Sequence, residues 1–210
     1  MRKAIQIITC IVIGILCVSF LESKAQSGAM RSPNGFLVFF SSGPLNFTIR
    51  LDNPNSETPV WVRNNYLQLL EDQFNIQVIE RESICSKTTQ QKDYLSVFQK
   101  WETKYIDSTM SSSVKRSAFL NDNKIIGTKG KDFQYNAWYY TVALEEGKLC
   151  FYYFDFYKND HFIRMTYIGS LENARLFIPA VLDGFQFYNK QIDVKKLQYS
   201  LKNGLYSYPE

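Results

Sequence analysis

The sequence predicts an α+β fold: an antiparallel sheet of about six strands with helices packed on both faces, an α/β/α sandwich. Three observations point there. Two aromatic-rich runs, residues 150–157 and 161–168, flank Asn159-Asp160, a pair that tolerates the positive φ of a two-residue hairpin turn. Apolar residues occupy both alternating sets of each run, whereas a sheet wetted on one side alternates apolar with polar, so cover is expected on both sides. Leu171, Ala174, Phe177, Ile178, Val181, Leu182 and Phe185 then recur at spacings of three and four, a helical stripe.

Arg2 and Lys3 precede an apolar run over residues 4–21, and the small residues of Ser23-Lys24-Ala25 suit cleavage near Ala25, so residues 1–25 read as a signal peptide. The competing reading is an uncleaved membrane anchor, because the run is nearly long enough to span a bilayer. A lipoprotein reading through Cys17 is opposed by the bulky Leu16 before it. Each reading takes the chain out of the cytoplasm, to a periplasmic or extracellular place. Removing Arg2, Lys3, Glu22 and Lys24 from 24 basic and 20 acidic residues leaves a net charge of +2. With no Lys/Arg block, that argues against nucleic acid and an anionic membrane as partners.

Residues 26–35 are expected to form a flexible tail and residues 36–188 a single α+β domain. Residues 36–40 and 45–51 suggest a first hairpin ahead of the turn cluster Asp52-Asn53-Pro54-Asn55. Thr58 and Pro59 suit the N-cap and first residue of a helix carrying Val62, Tyr66, Leu69, Leu70 and Phe74. Residues 76–84 alternate as a strand. Thr89 can cap a helix with Tyr94, Leu95, Phe98, Trp101, Tyr105 and Ile106 at helical spacing. Residues 125–128 open the sheet-rich half and 133–144 form a long strand, with a turn centred on Glu146-Gly147 that sets Ala143 opposite Cys150 and Tyr139 opposite Phe154.

In the hairpin that follows, the Asn159-Asp160 turn sets Lys158 opposite His161, Asp155 opposite Arg164 and Phe154 opposite Met165. Ser170 caps the last helix, with Glu172 in its first turn. Pro179 lies inside it, Asp183-Gly184 stops it, and residues 185–187 form a short strand. Residues 189–210 read as a polar C-terminal tail, with scattered apolar residues able to add a short helix or edge segment.

Candidate chemistry is sparse. Cys85 and Cys150 remain after the leader, and an even pair in an exported chain points to a disulfide, against two buried free thiols. His161 stands alone in the chain and reads as an exposed turn residue. No G-x-S-x-G, P-loop, H-E-x-x-H or C-x-x-C motif occurs, so no catalytic residue, metal site or cofactor is assigned. Glu71-Asp72 and Glu145-Glu146 read as a solvated helix end and a turn. Thirteen aromatic residues lie between positions 133 and 167, more than a turn-rich surface needs, so most are core. Tyr153, Asp155, Tyr157 and Arg164 share one face and form a candidate binding platform.

From Lys124 onward the order of elements resembles the Mog1/PsbP-like group of exported accessory proteins. The resemblance rests on Ile125-Ile126-Gly127, the meander through 133–144 and 149–157, the strand 162–168, and the helix ending in Val181-Leu182-Asp183-Gly184-Phe185. It implies an α/β/α sandwich and a non-enzymatic binding or assembly role. The expected function is therefore an exported, non-catalytic binding or accessory domain of the bacterial cell envelope, its partner a protein or glycan. The alternatives are a small secreted hydrolase using two carboxylates, which needs no local motif, and a self-associating structural envelope protein.

Overall fold

In the computed structural model, which describes residues 26–32, 34–52, 59–63, 65–69, 73–110, 114–122, 134–144 and 147–203, the aromatic hairpin takes the register its turn dictates. Asn159 and Asp160 both have positive φ, at 47° and 59°. The pairs are Lys158 with His161, Asp155 with Arg164 and Phe154 with Met165, as predicted.

The described strands are β1 (Gln26–Ser32), β2 (Gly35–Ser42), β3 (Leu45–Leu51), β4 (Val60–Arg63), β5 (Tyr66–Leu69) and β6 (Phe74–Glu80). After the helix α1 (Tyr94–Thr109) come β7 (Leu120–Asn121), β8 (Tyr135–Leu144), β9 (Gly147–Lys158) and β10 (His161–Gly169). The chain continues through α2 (Leu171–Asp183), β11 (Phe185–Tyr188) and α3 (Val194–Lys202). They build two antiparallel sheets, one ordered β1-β2-β3-β11 and one ordered β4-β5-β6-β10-β9-β8-β7.

The α/β/α sandwich is thereby corrected. Strands predominate, and a second sheet rather than a helical layer covers most of the inner face of the larger one. The reason lies in residues 36–40, which are apolar on both faces: Val38 and Phe40 point to the shared core, while Leu37 and Phe39 point away from it. Rings then bridge the two sheets. Phe156 of β9 meets Phe185 of β11 at 5.7 Å, and Phe185 meets Phe47 of β3 at 5.2 Å. Helix α2 fills the rest of this layer with Ala174, Ile178, Val181 and Leu182, and its cap forms as expected, with the Asn173 N–H donating to Ser170 Oγ at 3.1 Å.

The predicted N-terminal tail is corrected as well, while the short helix expected within residues 189–210 forms. Residues 26–32 pair along the whole of β2, because a strand apolar on both faces leaves a costly open edge. Gly28 is needed there: a Cβ would lie 2.6 Å from the Phe39 ring. At the other end, α3 sets Leu197 with Ile192 against Leu37, Phe39 and Tyr188, closing part of the outer face of the smaller sheet.

The helix expected from Pro59 is replaced by β4 and β5. Val62, Tyr66 and Leu69 fit a helical period, but Leu67 and Leu69 also fit a strand period, and pairing with β6 decides between them. The strand predicted over 76–84 runs instead from Phe74 to Glu80, followed by a single 3-10 turn, Arg81–Ser83. The register between β8 and β9 is shifted by two residues from the one expected, with Thr141 opposite Cys150 and Ala137 opposite Phe154. A slip of two keeps every side chain on its face, so the patterning was blind to it. Residues 53–58, 71, 72, 123–133, 145 and 146, which carry part of the expected Asp52-Asn53-Pro54-Asn55 turn, Glu71-Asp72, the 125–128 strand and Glu145-Glu146, lie outside the described residues, as do 1–25.

The disulfide is corrected too. Cys85 is packed with Tyr94, Phe98 and Phe162 under α1, whereas Cys150 is packed with Tyr152 in the core on the opposite face of the sheet. Both are free and buried. Unfolded, unreduced protein from Gln26 onward is therefore expected to take up two equivalents of a thiol reagent, and uptake of none would restore the bridge. Burial also raises the Cys150 thiol from 9.0 to about 11. The folded state then holds its proton more tightly than the unfolded chain, so the stability this contributes is complete below pH 9.0 and lost as pH rises towards about 11.

Candidate functional site

Arg164 lies on the outer face of β10 beneath α1 and is 2% exposed. Its Nε and Nη2 donate to Asp155 Oδ1 and Oδ2 at 2.7 and 3.1 Å, the bidentate geometry that suits a buried guanidinium. Its Nη1 meets Glu102 Oε2 of α1 at 2.6 Å, and the Trp138 indole N–H donates to Asp155 Oδ2 at 2.9 Å. The guanidinium carbon stands 4.2 Å from the Phe98 ring centroid and 5.2 Å from that of Tyr153. Burial opposes the charge, but Asp155 and Glu102 outweigh it and hold the Arg164 pKa above the usual arginine range.

The predicted platform is thus corrected. Tyr153, Asp155 and Arg164 are buried, and Tyr157 is half-buried with its ring 4.9 Å from Tyr94 of α1. They fasten α1 to the sheet. His161 is likewise buried rather than exposed, its Nδ1 paired at 2.7 Å with the Asn159 carbonyl.

What these residues support lies one layer further out. Phe98 stacks on Phe162 at 4.4 Å, Trp101 stacks on Phe98 at 6.2 Å, and Tyr105 follows Trp101 at 6.3 Å with planes 10° apart. Trp101 is 44% and Tyr105 56% exposed. The result is a ring ridge whose foot is buried and whose crest is wet. One turn of helix fixes its direction: Gln99 faces β8, donating to Asn121 at 3.0 Å and accepting from Asn136 at 2.7 Å. Two residues on, Trp101 is rotated by about 200° to the opposite flank of the helix.

The same outer face of the sheet carries uncharged polar side chains. Phe74, Ile76 and Val78 point into the core, so Asn75 and Gln77 point outward, and the same alternation turns Gln68 of β5 and Thr166 of β10 outward. Gln68, Asn75 and Thr166 are direct cross-strand neighbours about 4.8 Å apart, the two amides half-buried and Thr166 buried. Trp101 and Tyr105 were read from sequence as part of a core stripe. Their signal was the width of that stripe, since Tyr94, Phe98, Trp101 and Tyr105 together with Ile106 cover more of the helix than one sheet contact can hide.

Two other features bear on chemistry. Asp122 is buried and accepts from Arg175 Nε and Nη2 at 2.7 and 3.1 Å and from the Tyr152 hydroxyl at 3.1 Å, locking α2 to the β7 end of the sheet. Asp122 and Asp155 therefore lie on opposite sides of the larger sheet, each held by an arginine. Three surface depressions among the described residues carry one acid each, Asp193, Asp183 and Glu172, so none of the three sets two carboxylates face to face. No protein-family model matches the chain, and no curated protein is similar to it.

Proposed function

We propose that this chain is an exported, non-catalytic binding module of the bacterial cell envelope that takes a neutral glycan against the Trp101–Tyr105 ridge. The observation that carries the reading is the pair of parallel, exposed rings of α1, on the same outer sheet face that turns the half-buried amides of Gln68, Asn75 and Gln77 outward. A pyranose ring has an apolar face of C–H bonds that stacks on an aromatic ring and a rim of hydroxyls that exchanges hydrogen bonds with amides. The ridge is also held rigid by Phe98 and Arg164 below it, so little side-chain freedom is lost on binding.

The test is titration of the chain from Gln26 onward with oligomers of β-1,4-linked N-acetylglucosamine and of glucose, read by tryptophan fluorescence. Trp101→Ala is expected to weaken binding roughly thirtyfold, the effect of removing a central aromatic anchor. Its thermal midpoint should stay near that of the parent, because the ring is half exposed. Unchanged affinity in Trp101→Ala, or no saturable binding of any oligomer, would remove the glycan reading.

A further inference from the structure

Residues 184–203 contain Lys190, Lys195, Lys196 and Lys202 against one acid, Asp193. The fold sorts these charges. Leu197 and Ser200 face the smaller sheet, while Lys195, Lys196, Tyr199 and Lys202 are exposed. At 100° per residue, Tyr199 lies almost opposite Leu197, with Lys195 and Lys202 within about 60° of it on one side and Lys196 about 60° away on the other. Tyr199 is 70% exposed. Asp193 caps the helix start, accepting from the Lys195 and Lys196 backbone N–H groups at 2.9 and 3.2 Å, and offsets only one of the four lysine charges.

The start of the fold meets the same place. Gln26 and Ser27 share one surface depression with Asp193, Val194 and Lys195. Only four residues, 22–25, separate Gln26 from the apolar run 4–21. With that run in a bilayer, Gln26 is held within roughly 17 Å of the membrane, and the α3 face is held with it. A net charge of +2 spread evenly would attract no anionic surface, but attraction acts over about 10 Å and depends on the local cluster.

From these two observations we propose that the outer face of α3 docks on an anionic phospholipid bilayer, the lysines against phosphate groups and Tyr199 at the headgroup boundary. The mode is electrostatic adsorption with one interfacial aromatic. No helix among the described residues is long and apolar enough to cross a membrane, so α3 lies on the surface. The layer order puts α1 on the far side of the molecule from α3, so a docked domain presents the Trp101 ridge away from the membrane. The docking does not depend on what the ridge binds.

The chain from Gln26 onward contains every strand and helix described above, and co-sedimentation of it with vesicles is the test. Binding is expected to mixed phosphatidylglycerol and phosphatidylcholine vesicles, falling with added salt, and not to phosphatidylcholine alone. Lys195→Gln, Lys196→Gln and Lys202→Gln should each weaken it about fivefold, and arginine at the same positions should retain it. Trp101→Ala should leave it unchanged. Equal behaviour towards both vesicle types, undiminished binding of the triple glutamine variant, or capture on heparin without any binding to vesicles would overturn the proposal.

Discussion

Asp155→Ala is expected to destabilise the protein by about 3–5 kcal/mol, the cost of leaving a buried cation without its main partner. Asp155 is fully buried and accepts from three donors, two on Arg164 and one on Trp138. Its removal strands the guanidinium between Phe98 and Tyr153, with Glu102 as the one charged partner left among the groups described around it. Glu102→Gln should cost less, about 2 kcal/mol, because Arg164 keeps its bidentate carboxylate. Urea unfolding of both variants decides the matter. A loss below about 1 kcal/mol in Asp155→Ala would mean that water reaches Arg164 and that α1 is not clamped as the geometry requires.

Gly184→Ala is expected to cost about 3 kcal/mol for a different reason. Gly184 has ordinary helical dihedrals, φ −76° and ψ −16°, so glycine is not needed there for its freedom. It is needed for space: a Cβ would lie 2.2 Å from the Arg50 carbonyl oxygen, a backbone atom that cannot rotate away. The Arg50 N–H also donates to the Gly184 carbonyl at 3.0 Å, so relieving the clash pulls apart the corner where α2 hands over to β11. Thermal unfolding of Gly184→Ala should show a lowered midpoint with the same amplitude. An unchanged midpoint would place Gly184 away from β3.

The site was legible in its parts and not in its assembly. Asp155 and Arg164 were paired correctly because a two-residue turn counts residues outward without ambiguity. That they are covered was expected from the aromatics on both faces, yet the same residues were offered as a platform. The choice of cover belongs to α1, some 50 residues earlier in the chain. Four lysines in the 13 positions 190–202 are not a block in the sequence, and only helical winding sets the three of α3 around Tyr199. The β8–β9 pairing differs from the expected register by two residues because a period of two cannot register an even shift.

Local order was therefore in the sequence itself: the hairpin at Asn159-Asp160, the first hairpin, the capped helix after Ser170 and the strand that follows it. Each is fixed by residues within a few positions of one another, through turn geometry, capping and periodicity. Which surface lies against which was decided by the tertiary structure. Residues 60–69 satisfy two periods at once, residues 26–32 carry no period, and Cys85 and Cys150 share a chain but not a side of the sheet. Such choices depend on which distant partner buries the most apolar surface, a quantity that no short window of sequence contains.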